Sequence, residues 1–426
     1  MRAQQFKRLA WSVAIVMTAA CTAFTWVITA ANAGPRRDVG RLAVGDSVFW
    51  SGSHVEAPQN EPLPLPTLLS DDEPADCNAS SCFEYRIELV EPGALLRVAI
   101  DTPACQDGYT LEVLSPNGSV QAQDASCYSA EVYIDDPVKG TWTARVTPLG
   151  SAGAEFRMRA KLEGAPSRTG ERRILLPNLR VEPPHEFNFG DEGGGIARTS
   201  SSCQKDEIVE DGAKRCLRFA VGPQNVGAGP LEVKFARLDG LGTEADMQQR
   251  IYYSDGTSEM RDAGSSEFHK THQHFHLTGF AKLELLRVTD RSTGKLARAG
   301  AGTKSGFCLV DMRIARWRSF EQHRAYSARS NCMPVGGKAE LGLSAGWTDV
   351  YHSDLPGNYV SFGDNPNGRY VVRVTVDSLD HIREAKERDN VGYAYVEVKG
   401  SSVTLLERGQ GTSPWDEHKS VFSWAR

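Results

Sequence analysis

Phe268-His269-Lys270-Thr271-His272-Gln273-His274-Phe275-His276 places four of the chain's ten histidines within eight consecutive positions. In an extended backbone alternate side chains share a face, so His272, His274 and His276 fall together while Gln273 and Phe275 oppose them. On a helix the same three would spread around the cylinder. Phe268 before the run and Leu277-Thr278-Gly279-Phe280 after it carry no helical period, so the stretch is read as a strand. Three neutral imidazoles on one face suit Cu, Zn, Ni or Fe. Hard Ca or Mg sites and thiolate sites are disfavoured, because no Cys, Asp or Glu interleaves with the histidines. His272 and His276 would stand ~13 Å apart on a flat strand, too far for both to reach one ion at ~2 Å. A bend or bulge is therefore expected here. A solvated histidine cluster is the blander alternative, and it gives no reason for a triple on a single face.

The surrounding composition agrees with a β-rich chain. Forty glycines and 21 prolines in 426 residues break the sequence into short segments, and a chain of this length accommodates two or three domains. A net charge of −6 argues against a nucleic-acid partner. At the N-terminus Arg2, Lys7 and Arg8 precede an apolar run from Leu9 to about Ala31, and Ala31-Asn32-Ala33 offers small residues for cleavage before Gly34. Residues 1–33 are read as an export signal. The run is long, so an uncleaved membrane anchor is the alternative and the one route to a membrane partner. Cys21 belongs to that run. Eight cysteines remain, and an even number behind an export signal reads as disulfides in an oxidising compartment, secreted or in the periplasm and envelope. Local pairing suggests Cys77–Cys82, Cys105–Cys127, Cys203–Cys216 and Cys308–Cys332.

Residues 34–76 are read as a linker, with 52–76 rich in Pro and acidic side chains. From 77 to 165 short alternating runs (Phe83–Leu89, Leu95–Ile100, Tyr109–Leu114, Thr141–Val146, Glu155–Leu162) follow one another with turn residues between them and no helices, the pattern of a β-sandwich. This segment resembles the small jelly-roll accessory domains of secreted bacterial enzymes, and a spacer role is expected for it. Residues 163–173 link it to a second β-rich domain over 174–400, and 401–426 is read as a polar tail that wraps the domain. Within the second domain, Asp255-Gly256 marks a hairpin turn. Residues 312–330, with five arginines and Trp317, are read as an irregular or partly helical excursion.

Three stretches taken together, His272-Gln273-His274-Phe275-His276, Lys304-Ser305-Gly306-Phe307-Cys308-Leu309 and Trp347-Thr348-Asp349-Val350-Tyr351, resemble the catalytic domain of the lysyl oxidase family over about residues 174–398. With the first sandwich read from its strand spacing, the chain is expected to be all-β with two sandwiches, and the resemblance implies that the C-terminal one is catalytic. It also implies Cu(II) held by His272, His274 and His276, with His269 as a supporting residue. A lysine tyrosylquinone cofactor would be made from Lys304 and Tyr351. Tyr359 and Tyr370 are the other candidate tyrosines, since Tyr351 follows Lys304 by 47 positions and 312–330 looks inserted relative to animal members. The implied reaction takes a primary amine, either peptidyl lysine or a small amine, and O2 to an aldehyde, ammonia and H2O2. Lys304 must add as a neutral amine, which requires a site that lowers its pKa. Asp349 and Asp311 are the candidate general bases, and His352 is a weaker one. Three other classes compete: a metal-binding protein of the same fold without the quinone, a zinc hydrolase using the same histidines, and an adhesion protein whose function lies in the first sandwich.

Overall fold

The computed structural model describes residues 39–53, 82–103, 108–149, 155–164, 171–189, 203–205, 208–209, 215–237, 244–269, 274–277, 279–304, 307–315, 317, 324–326, 338–355 and 357–423. Among them the only regular elements are strands, and no helix is long and apolar enough to cross a membrane. The candidate signal, residues 1–33, lies outside the described residues.

The first sandwich packs a five-stranded sheet on a four-stranded one. The five-stranded sheet runs Val39–Leu42, Phe83–Leu89, Gly140–Pro148, Tyr109–Leu114, Val120–Ser126. The second runs Ser47–Ser53, Glu155–Glu163, Leu95–Asp101, Ser129–Asp135. Period-two alternation sends Tyr85, Ile87 and Leu89 inwards from one sheet to meet Phe156, Met158 and Leu162 from the other. The expected linker over 34–76 needs correction. Val39–Leu42 pairs in parallel with Phe83–Leu89, and Ser47–Ser53 pairs antiparallel with Glu155–Glu163. These edge strands satisfy backbone groups that the next strands would otherwise leave open.

Three larger sheets form the second domain around one core, beside a two-stranded ribbon of Gln204–Lys205 and Ile208–Val209. One runs His274–His276, Ser258–His269, Glu244–Tyr253, Leu231–Arg237, Lys338–Leu343. Another centres on Cys216–Asn225 between Leu179–Asn188 and Trp347–Thr348, with Tyr359–Ser361 also paired to it. The third runs Lys295–Lys304, Ala281–Asp290, Gly368–Val376, Val391–Lys399, Ser402–Gln410, Ser420–Val421. Phe219, Phe235, Phe275, Leu283, Phe307, Trp347 and Val372 from all three sheets belong to one buried cluster. The expected tail over 401–426 is therefore corrected as well, because Ser402–Gln410 is a full strand in register with Val391–Lys399. The Asp255-Gly256 hairpin turn is present, with Tyr252 paired to Ser258 and Gly256 in the left-handed region.

The lysine-bearing strand depends on two glycines. A Cβ at Gly300 would lie 1.9 Å from the Ser361 carbonyl oxygen, and one at Gly302 would lie 2.2 Å from that of Tyr359. Backbone is pressed against backbone there, and only glycine admits the approach. Gly302→Ala is expected to cost ~2–3 kcal/mol or more by overpacking and to displace the strand that ends at Lys304. Urea denaturation of the purified variant measures the loss.

The two sandwiches meet through the 312–326 region, which the sequence suggested was an irregular excursion. Its described residues contain no helix. Arg313–Ile314 forms a short strand on Trp347–Thr348. Arg157 and Arg159 of the first sandwich lie over the Trp317 ring at 4.6 and 4.9 Å. The Ile314 amide donates to Ser129 Oγ at 3.0 Å, the Arg324 amide donates to Tyr133 Oη at 2.7 Å, and Arg324 pairs with Asp124 at 2.8 Å. Ala99 of the first sandwich even joins the core cluster of the second domain. A spacer on a loose tether would make none of these contacts.

Candidate active site

The histidine run is not one continuous strand. Ser258–His269 and His274–His276 pair as antiparallel neighbours, and His272, in the connection between them, lies outside the described residues. Positions 269 and 274 are cross-strand partners, as are 267 and 276 and also 268 and 275. Phe275 is fully buried and stacks on Phe235 with ring centroids 5.2 Å apart. Residues 270–273, which join the two strands, lie outside the described residues, so the bend expected at His272 falls there. Positions 269 and 274 stand opposite each other in register, and the imidazoles that the sequence puts there are a donor type that suits Cu(II).

The strand after this hairpin carries the chain to the lysine. Ala281 opens the Ala281–Asp290 strand and is the register partner of Lys304, the last residue of Lys295–Lys304. Three residues further on, Phe307 is buried and contacts two other rings edge-on: Phe280 at 5.2 Å and Tyr351 at 4.8 Å. The Tyr351 hydroxyl accepts a hydrogen bond from the Cys308 amide at 2.7 Å. Three residues of chain span at most ~10 Å. The Tyr351 ring therefore packs against the segment that directly follows Lys304.

Tyr351 is held from several sides. It forms an isolated bridge with Val221, through amide–carbonyl bonds of 2.8 and 2.9 Å. Beyond it the chain is tied down by Asn358, whose side-chain amide donates to the His352 carbonyl at 2.8 Å. The buried Arg218 donates to the carbonyls of Ser353 and Leu355 at 2.6 and 2.5 Å. The side chains of the other two tyrosines have different surroundings, although the Tyr359 backbone lies against Gly302 of the lysine strand. Tyr359 is buried against the Cys203–Cys216 disulfide, and Tyr370 is fully buried with its hydroxyl donating to the Pro366 carbonyl at 2.5 Å.

The two candidate carboxylates differ. Asp311 is buried, and burial pushes its carboxyl up to about 6. Its Oδ1 accepts from the Ser344 amide, and its Oδ2 accepts from the Ala325 and Tyr326 amides and the Ser344 hydroxyl, at 2.7 to 3.0 Å. Four donors hold Asp311, which ties the 324–326 segment to Ser344. Asp349 is buried two residues before Tyr351, with its amide bonded to the Pro223 carbonyl. Cys203–Cys216 is the expected disulfide. Cys82, Cys127 and Cys308 are disulfide-bonded too, and their expected partners Cys77, Cys105 and Cys332 lie outside the described residues.

Comparison with known proteins relates this chain to a family. A lysyl oxidase family model matches residues 249–407. Protein-lysine 6-oxidase of Sus scrofa is 29% identical over 140 residues, covering 32% of this chain and 49% of that protein. The Bos taurus protein of the same name is 29% identical over 140 residues, covering 32% and 29%. Lysyl oxidase homolog 1 of Homo sapiens is 28% identical over 139 residues, covering 32% and 21%. The chain thus spans less than half the length of each of these relatives, and the matched segment begins after the first sandwich. Over residues 249–407 this chain is similar to the lysyl oxidase family.

Proposed function

We propose that this chain is an exported copper-dependent amine oxidase that builds a lysine tyrosylquinone from Lys304 and Tyr351. Its substrates would be primary amines, either peptidyl lysine or small amines, converted to aldehydes with release of ammonia and H2O2. The observation that carries this reading is the Tyr351 hydroxyl bonded to the Cys308 amide, its ring against Phe307, in the segment following Lys304. Disulfides support an oxidising location.

His272, His274 and His276 would hold the copper, with His269 beside His274 in register. Bound together, Cu(II) and the quinone supply one-electron chemistry with O2 and an electrophilic carbonyl for the substrate amine. Phe307, itself packed against Phe280, lies edge-on to the Tyr351 ring on its core side. The Cys308 amide orients the phenol oxygen. Asp349 is the base assigned to remove the proton from the substrate α-carbon. Asp311 keeps the neighbouring loops in place.

The test is H2O2 release by the exported, copper-loaded protein on a panel of primary amines, with mass analysis of its peptides. A peptide joining the Lys304 and Tyr351 regions is expected, together with peroxide release. Bound copper without that cross-link would instead make the chain a metal-binding member of the family.

A further inference from the structure

We infer that the first sandwich is a working part of the catalytic unit: its Tyr128 clamps His352 and thereby fixes the backbone that carries Tyr351. The inference rests on the role given to Tyr351 above. The first sandwich lies outside the family match, so the clamp would be a device of this chain's own architecture.

Tyr128 sits between the strands Val120–Ser126 and Ser129–Asp135, and it is 1% exposed. Its ring stacks on the His352 imidazole with centroids 5.4 Å apart and planes inclined by 11°. The Tyr128 hydroxyl lies 3.3 Å from both imidazole nitrogens. Glu186 Oε2 reaches His352 Nδ1 at 3.3 Å. The Arg313 guanidinium lies over the Tyr128 ring, 5.3 Å from its centroid. Tyr128 thus contacts both a buried arginine and the imidazole.

The grip has electrostatic support. The charges around His352 are Glu186, Glu182 and Asp354, with Arg313 beside Tyr128. The Glu186 hydrogen bond raises the His352 pKa against the opposing effect of burial. Burial, reinforced by Glu186 and Glu182, pushes the Tyr128 phenol up, so it stays a neutral hydrogen-bonding group. Glu186 holds its position at a φ of 52°, within a strand whose register shifts on both sides of His185. A non-glycine residue in that region is strained and persists only where its surroundings enforce it.

Tyr351 and His352 are consecutive, so a fixed His352 constrains its neighbour. Tyr351 turns towards Phe307 and Cys308, whereas His352 turns towards the first sandwich. A misplacement of 1 Å at a reacting group can cost ~10²-fold in rate. Tyr128 is therefore a positioning residue, acting through His352.

The test compares Tyr128→Ala, Tyr128→Phe and Arg324→Ala in the full-length, copper-loaded protein. Amide hydrogen exchange is read over residues 350–355, and kcat and KM are read on a primary amine. Tyr128→Ala is expected to speed exchange in that segment by ~10-fold or more while the strands of both sandwiches stay protected. It should also lower kcat by ~10–100-fold with little change in KM. Tyr128→Phe keeps the stacked ring and should retain most of both properties. Arg324→Ala removes the ion pair to Asp124 without touching His352, and should leave exchange at 350–355 unchanged. Unchanged exchange at 350–355 in Tyr128→Ala overturns the inference, as does exchange raised throughout both sandwiches. If the unmodified protein oxidises no amine, the oxidase reading fails, and the exchange data still decide the clamp.

Discussion

Tyr351→Phe is expected to abolish amine oxidation, with peroxide release falling at least ~10⁴-fold, to background, because the variant lacks the oxygen from which a quinone is made. The same change removes the acceptor of the Cys308 amide and should cost ~1 kcal/mol of stability. The fold should survive, since the ring still packs against Phe307 in the core. Tyr359→Phe and Tyr370→Phe are the controls. Tyr359 is packed by the Cys203–Cys216 disulfide, and Tyr370 points its hydroxyl at the Pro366 carbonyl. Both variants should form the cofactor and turn over amine. Peptide mass analysis alongside the peroxide assay checks all three. A wild-type level of peroxide from Tyr351→Phe, or its loss in Tyr370→Phe, would move the assignment to another tyrosine.

The chemistry of this site was more legible in the sequence than its geometry. His272, His274 and His276, the Lys304–Leu309 stretch and Tyr351 stand out as residue types in order, and order survives without a structure. Strand limits do not. Ser258–His269 escaped notice because Met260, Asp262 and Gly264 are exposed and only scattered residues such as Ala263 and Ser266 are buried, so no clean alternation appears. Without that strand the histidine run could not be seen to fall on two paired strands. Ser402–Gln410 was hidden for the same reason, with Leu405 and Leu406 both exposed. Val39–Leu42 and Ser47–Ser53 lie far in sequence from the strands they pair with, and nothing local marks them as edges. The domain interface was least visible. It is built from arginines and carboxylates, which composition alone reads as solvated surface.

That interface carries the second large expected effect. Arg313 is 4% exposed, pairs with Glu182 at 2.7 Å and lies 3.7 Å from Asp101, and Glu182 is 1% exposed. Asp101 also holds Arg157 at 2.8 Å and accepts the Ser129 hydroxyl at 2.6 Å. Ion pairs this deep gain little over apolar packing, but removing one partner strands a charge in a medium that solvates it poorly. Arg313→Met is therefore expected to cost ~3–5 kcal/mol, measured by urea denaturation at pH 7. Arg313→Met combined with Glu182→Met should recover much of that loss, because no unpaired carboxylate then faces Arg313's former position. The pH dependence follows from the same pair. Burial pushes the Glu182 carboxyl up, but Arg313, His185 and Arg408 together hold it below its ordinary value of 4.5. Its contribution is thus present above that value and is lost as the pH falls through the lower folded one. In Arg313→Met burial goes unopposed by its strongest partner, so Glu182 should take up its proton at higher pH and the acid limb of the stability curve should move upwards. A stability loss under ~1 kcal/mol in Arg313→Met, a size typical of exposed ion pairs, would mean that water reaches this network and that the two sandwiches are joined by surface contacts alone.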